Sequence, residues 1–242
     1  MNLPNVFLFA GLPYAAMLIF LVGTIMRYRN TGFKVSALSS QFLEGRSLFW
    51  GTVPFHGAIL VVFLGHLTAF LFPQATLAWN RIPVRLIILE VAAFTFGVTV
   101  FVGLAVLMAR RVANARIRAV TTPMDAAIEM LLLTQVLLGL WIALGYRWGA
   151  SWFAADLTPY LWSLLRLAPE TNAVFALPWV IRLHIVGAFL IVLLIPFTRL
   201  MHLLVAPLSY LARPYQQFIW NWNRKTIRDP ETAWSEARPR ST

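Results

Sequence analysis

The chain has 242 residues, of which 60% are hydrophobic and only 12% are charged. This composition excludes a disordered chain, a fibrous repeat and an ordinary soluble enzyme, so we expect an integral membrane protein. The formal net charge of +11 is typical of basic membrane loops and of a surface that meets anionic lipid, and we expect no nucleic-acid partner.

Five apolar segments are long enough to cross the hydrocarbon core of a bilayer, which takes about 20 helical residues. In chain order they are 6–26, 48–72, 86–109, 126–146 and 179–205. The predicted fold is all-α, an integral membrane bundle of five transmembrane helices over residues 1–212. A basic, aromatic cytoplasmic tail is predicted to follow over residues 213–242.

The basic residues between the spans predict the orientation of the bundle. Fourteen of the twenty Lys and Arg residues lie after the first, third and fifth spans, and a fifteenth, Arg199, lies near the end of the fifth. By the positive-inside rule these regions are cytoplasmic, which predicts an outside N-terminus and a multi-pass protein of the cell inner membrane. No basic residue precedes the first span, so we expect a retained helix and no cleaved signal peptide.

The cofactor chemistry open to this chain is narrow, because it has no cysteine and only four histidines. The lack of cysteine excludes disulfides, thiolate-ligated iron–sulfur clusters and covalently attached haem. His56 and His66 lie on the second span, and His184 and His202 lie on the fifth. Any redox cofactor is therefore expected on histidine, methionine or carboxylate.

The spacing of the histidines predicts two His–His pairs at two depths. On an ideal helix His56 and His66 are about 15 Å apart, and His184 and His202 are about 27 Å apart on one face. Three connections separate the second span from the fifth, so these two helices are antiparallel. If they are neighbours, His66 faces His184 near the outside, and His56 faces His202 near the inside. Such pairs suit two haems with bis-histidine ligation, whose iron transfers electrons.

Two interpretations without haem stay open. In the first, the histidines are hydrogen-bonded packing residues of a membrane anchor or scaffold. In the second, they line a metal-transport path, although the second and fifth spans carry no carboxylate to accompany them. Gly57, Gly65 and Gly187 would let a porphyrin approach the backbone, but glycines also serve close helix packing.

Several short motifs follow one another in a specific order and spacing. They are Arg27-Tyr28, Ser39-Ser40-Gln41-Phe42-Leu43, Phe55-His56, Gly65-His66, Arg110-Arg111, Arg116–Thr122, Arg182-Leu183-His184 and Pro196–His202, then Pro207 and Tyr210-Leu211. With these motifs the chain resembles the gamma subunit family of respiratory nitrate reductase, a membrane cytochrome b. The resemblance covers about residues 5–220 and is weak in the loop 145–177 and in the tail.

The resemblance implies two b haems and their iron ligands. His66 and His184 would ligate the outer, distal haem, and His56 and His202 the inner, proximal haem. It also implies that quinol is oxidised near the distal haem, with protons released outside. Electrons would pass to an iron–sulfur beta subunit and then to a molybdenum alpha subunit that reduces nitrate. A quinone-reactive cytochrome b of another molybdenum or sulfur-linked oxidoreductase stays an alternative, because the terminal chemistry lies in other subunits.

Charged residues in and beside the spans complete the candidate site. Glu90 lies at about the depth of His66, and we expect it either to accept a proton from quinol or to pair with an arginine such as Arg85. By the resemblance, Gly65 and Arg85 are candidates for the quinol site. Three arginines at span ends are candidates for binding haem propionates, and they are Arg111, Arg199 and Arg182. For Arg111 and Arg199, which lie at inner span ends, the alternative is membrane anchoring by the positive-inside rule. Glu129 and Gln135 carry no predicted role.

Overall fold

The computed structural model describes residues 3–31 and 46–204, so the predicted tail lies outside the described residues. Within these ranges all regular structure is helical and no strand occurs. Five described stretches are long and apolar enough to span a membrane, and they are Leu3–Asn30, Leu48–Leu71, Pro83–Ala113, Pro123–Gly145 and Trp179–Phe197. The predicted all-α fold with five spans is confirmed, and the orientation of its termini stays a prediction.

The five spanning helices are joined by short helical segments. The helices are α1 (Leu12–Thr31), α2 (Arg46–Leu71), α3 (Pro83–Ala113), α4 (Pro123–Gly145) and α5 (Trp179–Leu194). A turn at Leu3–Val6 and a π-helical segment at Phe7–Gly11 precede α1. Pro73–Asn80 joins α2 to α3, and Ala115–Ala119 joins α3 to α4. Between α4 and α5 lie Gly149–Trp152, Phe153–Leu157, Thr158–Leu165 and Asn172–Phe175.

The start of α4 is specified by its own residues. Pro123 occupies the first turn, where its missing N–H costs no hydrogen bond. Thr122 Oγ1 accepts from the Asp125 backbone N at 3.2 Å, and Asp125 Oδ2 accepts from the Thr122 backbone N at 3.0 Å. This reciprocal capping box satisfies two backbone donors that the helix leaves without a partner. It also fixes Asp125 at the end of the bundle where α3 ends and α4 begins.

The spanning helices pack in the spatial order α2, α3, α4, α5 and α1. The α2–α3 contact is the most extensive between spanning helices, and two glycines meet there. A Cβ atom on Gly103 would lie 2.8 Å from the Phe55 backbone N and 2.9 Å from the Gly51 backbone O. Small residues of this kind let two membrane helices approach each other through their backbones. The position of α2 against α3 therefore depends on Gly103.

The segment between α4 and α5 folds into the bundle and contributes to its core. Leu157, Tyr160 and Leu164 are buried and pack with Phe9 and other apolar residues. The Tyr160 hydroxyl donates to the Phe9 backbone O at 2.8 Å, and burial raises the pKa of Tyr160 above its usual value. Trp162 Nε1 donates to the Phe70 backbone O at 3.1 Å. We call this end of the bundle, formed by residues 146–178, the loop end.

The fifth span ends differently from the prediction. The sequence predicts one helix over 179–205, whereas α5 ends at Leu194 and is followed by two 3₁₀ segments, Ile195–Phe197 and Arg199–Leu203. The physical reason is Pro196, which has no N–H and does not fit a helix interior. Arg27 Nη1 donates to the backbone O atoms of Pro196 at 2.6 Å and Thr198 at 3.0 Å, which satisfies carbonyl groups at the break.

The α2–α3 contact generates a prediction about stability. We expect Gly103→Ala to destabilise the protein by about 1–3 kcal/mol, because the new methyl group meets backbone atoms that have little freedom to move. The measurement is the thermal unfolding midpoint of the purified protein in detergent. The control is Gly145→Ala, whose Cβ would lie 3.5 Å from the nearest side-chain atom, an ordinary contact. Equal midpoints for the two variants would contradict the prediction.

Candidate functional site

His56 and His202 face each other at the end of the bundle opposite the loop end. His56 lies on α2, His202 lies on the 3₁₀ segment after α5, and their ring centres are 6.0 Å apart. A metal ion binds an imidazole nitrogen at about 2 Å, and that nitrogen lies about 1 Å from the centre of its ring. Two imidazoles on opposite sides of one metal ion therefore have ring centres roughly 6 Å apart. The spacing of this pair therefore suits one metal ion between the two rings.

The ring nitrogens of three histidines are arranged for metal binding. Nδ1 lies 2.9 Å from the Thr52 backbone O in His56, 2.8 Å from the Val62 backbone O in His66 and 2.6 Å from the Arg199 backbone O in His202. A carbonyl oxygen only accepts, so Nδ1 carries the proton and donates in each case. Nε2 is then the unprotonated nitrogen with a lone pair for a metal.

His66 lies on α2 toward the loop end, and His184 lies in the first half of α5. The His66 ring packs edge-on against Phe153, with ring centres 5.5 Å apart. His184 lies against α4, where its Cε1 would be 3.3 Å from a Cβ on Gly139. The structure thus brings His56 and His202 together, whereas the pairing of His66 with His184 and the role of all four as iron ligands stay predictions.

The surroundings of the histidines fit a flat group bound between helices. His56 and His66 are exposed, and a Cβ on the adjacent Gly57 or Gly65 would meet no atom within 4 Å. Near His184, the Arg182 Nε atom is buried and has no hydrogen-bond partner among the described residues, which suits a carboxylate of a bound group. Over residues 3–31 and 46–204 no cluster of three or more metal-ligating side chains occurs, so the candidate iron ligands are pairs. These residues fit two bis-histidine haems.

A network of charged side chains surrounds the start of α4. Arg111 Nη2 lies 2.6 Å from Glu129 Oε1, and Arg111 Nη1 lies 3.9 Å from Asp125 Oδ2. Arg199 Nε lies 2.9 Å from Asp125 Oδ1. We call these four residues the charged end. Two of the three arginines predicted to bind propionates, Arg111 and Arg199, are therefore paired with carboxylates, and a propionate would have to share them.

Glu90 makes a backbone contact in place of an ion pair. Its Oε1 accepts from the Ala150 backbone N at 3.0 Å, at the start of the segment Gly149–Trp152. Among the described residues, Glu90 forms no ion pair with Arg85. The Arg85 Cζ atom instead lies 4.8 Å from the ring centre of Trp79. The proton-acceptor hypothesis for Glu90 stays open, and Glu90 also attaches the loop end to α3.

A cavity of about 460 Å³ opens at the loop end. Its walls come from the segments that follow α2 and α4, with Gln74, Thr158, Trp162 and Arg166 among the lining residues. Gly65 and Arg85, the residues predicted for the quinol site, do not line it. The cavity therefore adds no support to that assignment.

Sequence reasoning missed several residues that contact the four histidines or the charged end. Asp125 and Glu129 pair with arginines, Phe153 covers His66, and Gln135 Nε2 donates to the His184 backbone O at 2.9 Å. The signal for Glu129 and Gln135 was present, because a polar side chain inside an apolar span needs a partner. The identity of that partner depends on helix packing, which a single sequence does not show.

Comparisons with known proteins identify the family of this chain. A family model described as "Nitrate reductase gamma subunit" matches residues 5–221. The respiratory nitrate reductase 2 gamma chain of Escherichia coli (strain K12) is 34% identical over 215 residues, which are 88% of this chain and 95% of that protein. The nitrate reductase gamma chain of Bacillus subtilis (strain 168) is 30% identical over 207 residues, covering 84% of this chain and 93% of that protein. With its five candidate spans, the chain is a multi-pass inner membrane protein and belongs to the nitrate reductase gamma subunit family.

Proposed function

We propose that this membrane subunit of a respiratory nitrate reductase oxidises membrane quinol and passes the electrons, by way of two b haems, to an iron–sulfur subunit. That partner and a molybdenum subunit that reduces nitrate would lie on the cytoplasmic side, where the positive-inside rule assigns the C-terminus. The observation that carries the proposal is the His56–His202 pair, with ring centres 6.0 Å apart and Nε2 left for iron on both rings. Membership of the gamma subunit family supports the partners.

His56 and His202 would hold the haem at the charged end, and His66 and His184 would hold the haem at the loop end. Haem b bound by these imidazoles would supply one-electron transfer. Arg182 would bind a propionate at the loop end through its buried Nε.

Oxidation of a quinol also releases protons, and Glu90 is our candidate to accept one. Its side chain is half-buried on α3 at the loop end, and its oxygens lie near the start of the segment Gly149–Trp152. A carboxylate at membrane depth that already accepts one hydrogen bond has further lone pairs for a second donor. Proton release at the loop end fits the predicted orientation, in which this end faces outside.

The first test of the proposal is a count of haem. We expect two b haems per chain from a pyridine haemochrome assay and a reduced-minus-oxidised spectrum of the purified protein. His56→Ala and His202→Ala should each lose the same haem, and His66→Ala and His184→Ala should each lose the other, because an iron without one axial imidazole is bound weakly.

The two pairs control for each other in this experiment. The spectrum that remains in His56→Ala should match that of His202→Ala and differ from that of His66→Ala. A parent protein without haem would contradict the electron-transfer function and would favour a haem-free anchor. Loss of both haems in every variant would contradict the pairing.

A second test separates the two roles of Glu90. We expect Glu90→Gln to slow quinol oxidation by about 100-fold or more, because a general acid–base group contributes about 10²–10⁴-fold. The amide oxygen of Gln still accepts from the Ala150 backbone N, so the haem count should stay at the parent value. The measurement is quinol-dependent haem reduction in the purified complex.

The matched variant is Glu90→Leu, which removes the hydrogen bond to Ala150 as well as the proton site. It should lower both the rate and the thermal unfolding midpoint. Turnover at the parent rate in Glu90→Gln would show that Glu90 only attaches the loop end to α3.

A further inference from the structure

Gln135 lies at the contact of α4 with α5, beside the candidate haem ligand His184. Its Nε2 donates to the His184 backbone O at 2.9 Å. That carbonyl is part of α5, so the bond ties α4 directly to the residue that carries the imidazole. A glutamine amide in an apolar span is costly to bury, and a specific partner on the next helix offsets that cost.

Two glycines make room for this contact. A Cβ on Gly187, about one turn after His184, would collide with Gln135 Oε1, so a larger residue there would displace the end of the Gln135 side chain. A Cβ on Gly139, one turn after Gln135, would lie 3.3 Å from His184 Cε1. The two helices therefore interlock around the amide of Gln135 and the ring of His184.

Two buried polar atoms in this contact have no hydrogen-bond partner among the described residues. They are Gln135 Oε1, which accepts, and His184 Nδ1, which donates when it carries the proton. The other three histidines donate Nδ1–H to a carbonyl of their own helical segment, and His184 does not. An unpaired buried donor and an unpaired buried acceptor on interlocked helices are complementary.

We propose that Gln135 is a positioning residue for His184, and this inference rests on the proposed haem function. The amide holds α5 through the His184 backbone O, and Oε1 accepts Nδ1–H when Nε2 binds iron. An acceptor on Nδ1–H fixes the tautomer and makes the imidazole a stronger electron donor to the metal. Gln135 thereby sets the properties of the haem at the loop end and leaves those of the haem at the charged end unchanged.

The test compares the two haems within one protein. We expect Gln135→Leu to raise the midpoint potential of the loop-end haem and to shift its low-spin resonance signal, while the charged-end haem keeps its parent values. Gln135→Glu keeps an acceptor oxygen, and its protonated carboxyl reproduces both hydrogen bonds. It should retain the parent values or move the potential in the opposite direction. The control is Thr134→Val, because Thr134 is exposed on the same helix and donates to the Met130 backbone O.

A further variant keeps the test decisive if Gln135→Leu fails to fold or loses the loop-end haem. Gly187→Ala adds a methyl group on α5 that pushes Gln135 Oε1 away. It should move the midpoint potential of the loop-end haem in the same direction as Gln135→Leu. Identical effects of Gln135→Leu and Gln135→Glu, or an unchanged loop-end haem in Gln135→Leu and Gly187→Ala, would overturn the inference. A parent protein with no haem would instead overturn the proposed function, so the two failures are distinct.

Discussion

The ion pair between Asp125 and Arg199 holds the least regular part of the bundle in place. The helix of the fifth span stops at Leu194, and a stopped helix inside a membrane leaves carbonyl groups that no water reaches. Arg27 supplies donors to two of these carbonyls, and Asp125 binds the Arg199 side chain at the start of the next 3₁₀ segment. His202 belongs to that segment, so the spacing of the His56–His202 pair depends on this carboxylate.

The two ends of the bundle are stabilised by different forces. At the charged end, two carboxylates and two arginines interact as ions, and the carboxylate Asp125 also caps α4. At the loop end, side chains such as Tyr160 and Trp162 donate to backbone carbonyls of other elements, over a packed apolar core. The carboxylates of the charged end are largely buried, so salt screens these ion pairs less than it would screen exposed ones.

Hydropathy predicts the five spans, because a span depends on local composition. Histidine spacing and the parity of the connections predict the two facing pairs. The same reasoning misses the break after Leu194, since Pro196 alone is compatible with either a kinked or a stopped helix. The stopped form is stabilised by Arg27, which donates to the Pro196 backbone O from 169 residues away in sequence. The packed loop end is missed for a similar reason, because its aromatic residues fit a membrane interface as well as a protein core. Long-range partners of this kind are not visible in one sequence.

Helix geometry controls three of the four imidazoles in two ways. His56 and His66 donate to the carbonyl four residues earlier on α2, so their rings turn with that helix as a unit. The rotation of α2 is set by its close approach to α3 at Gly103. The ring of His184 lacks such a bond within its own helix and instead contacts α4 at Gly139. The two members of the loop-end pair are therefore oriented by separate helix contacts, α2–α3 for His66 and α4–α5 for His184. A substitution at either contact changes the geometry of that pair from one side only.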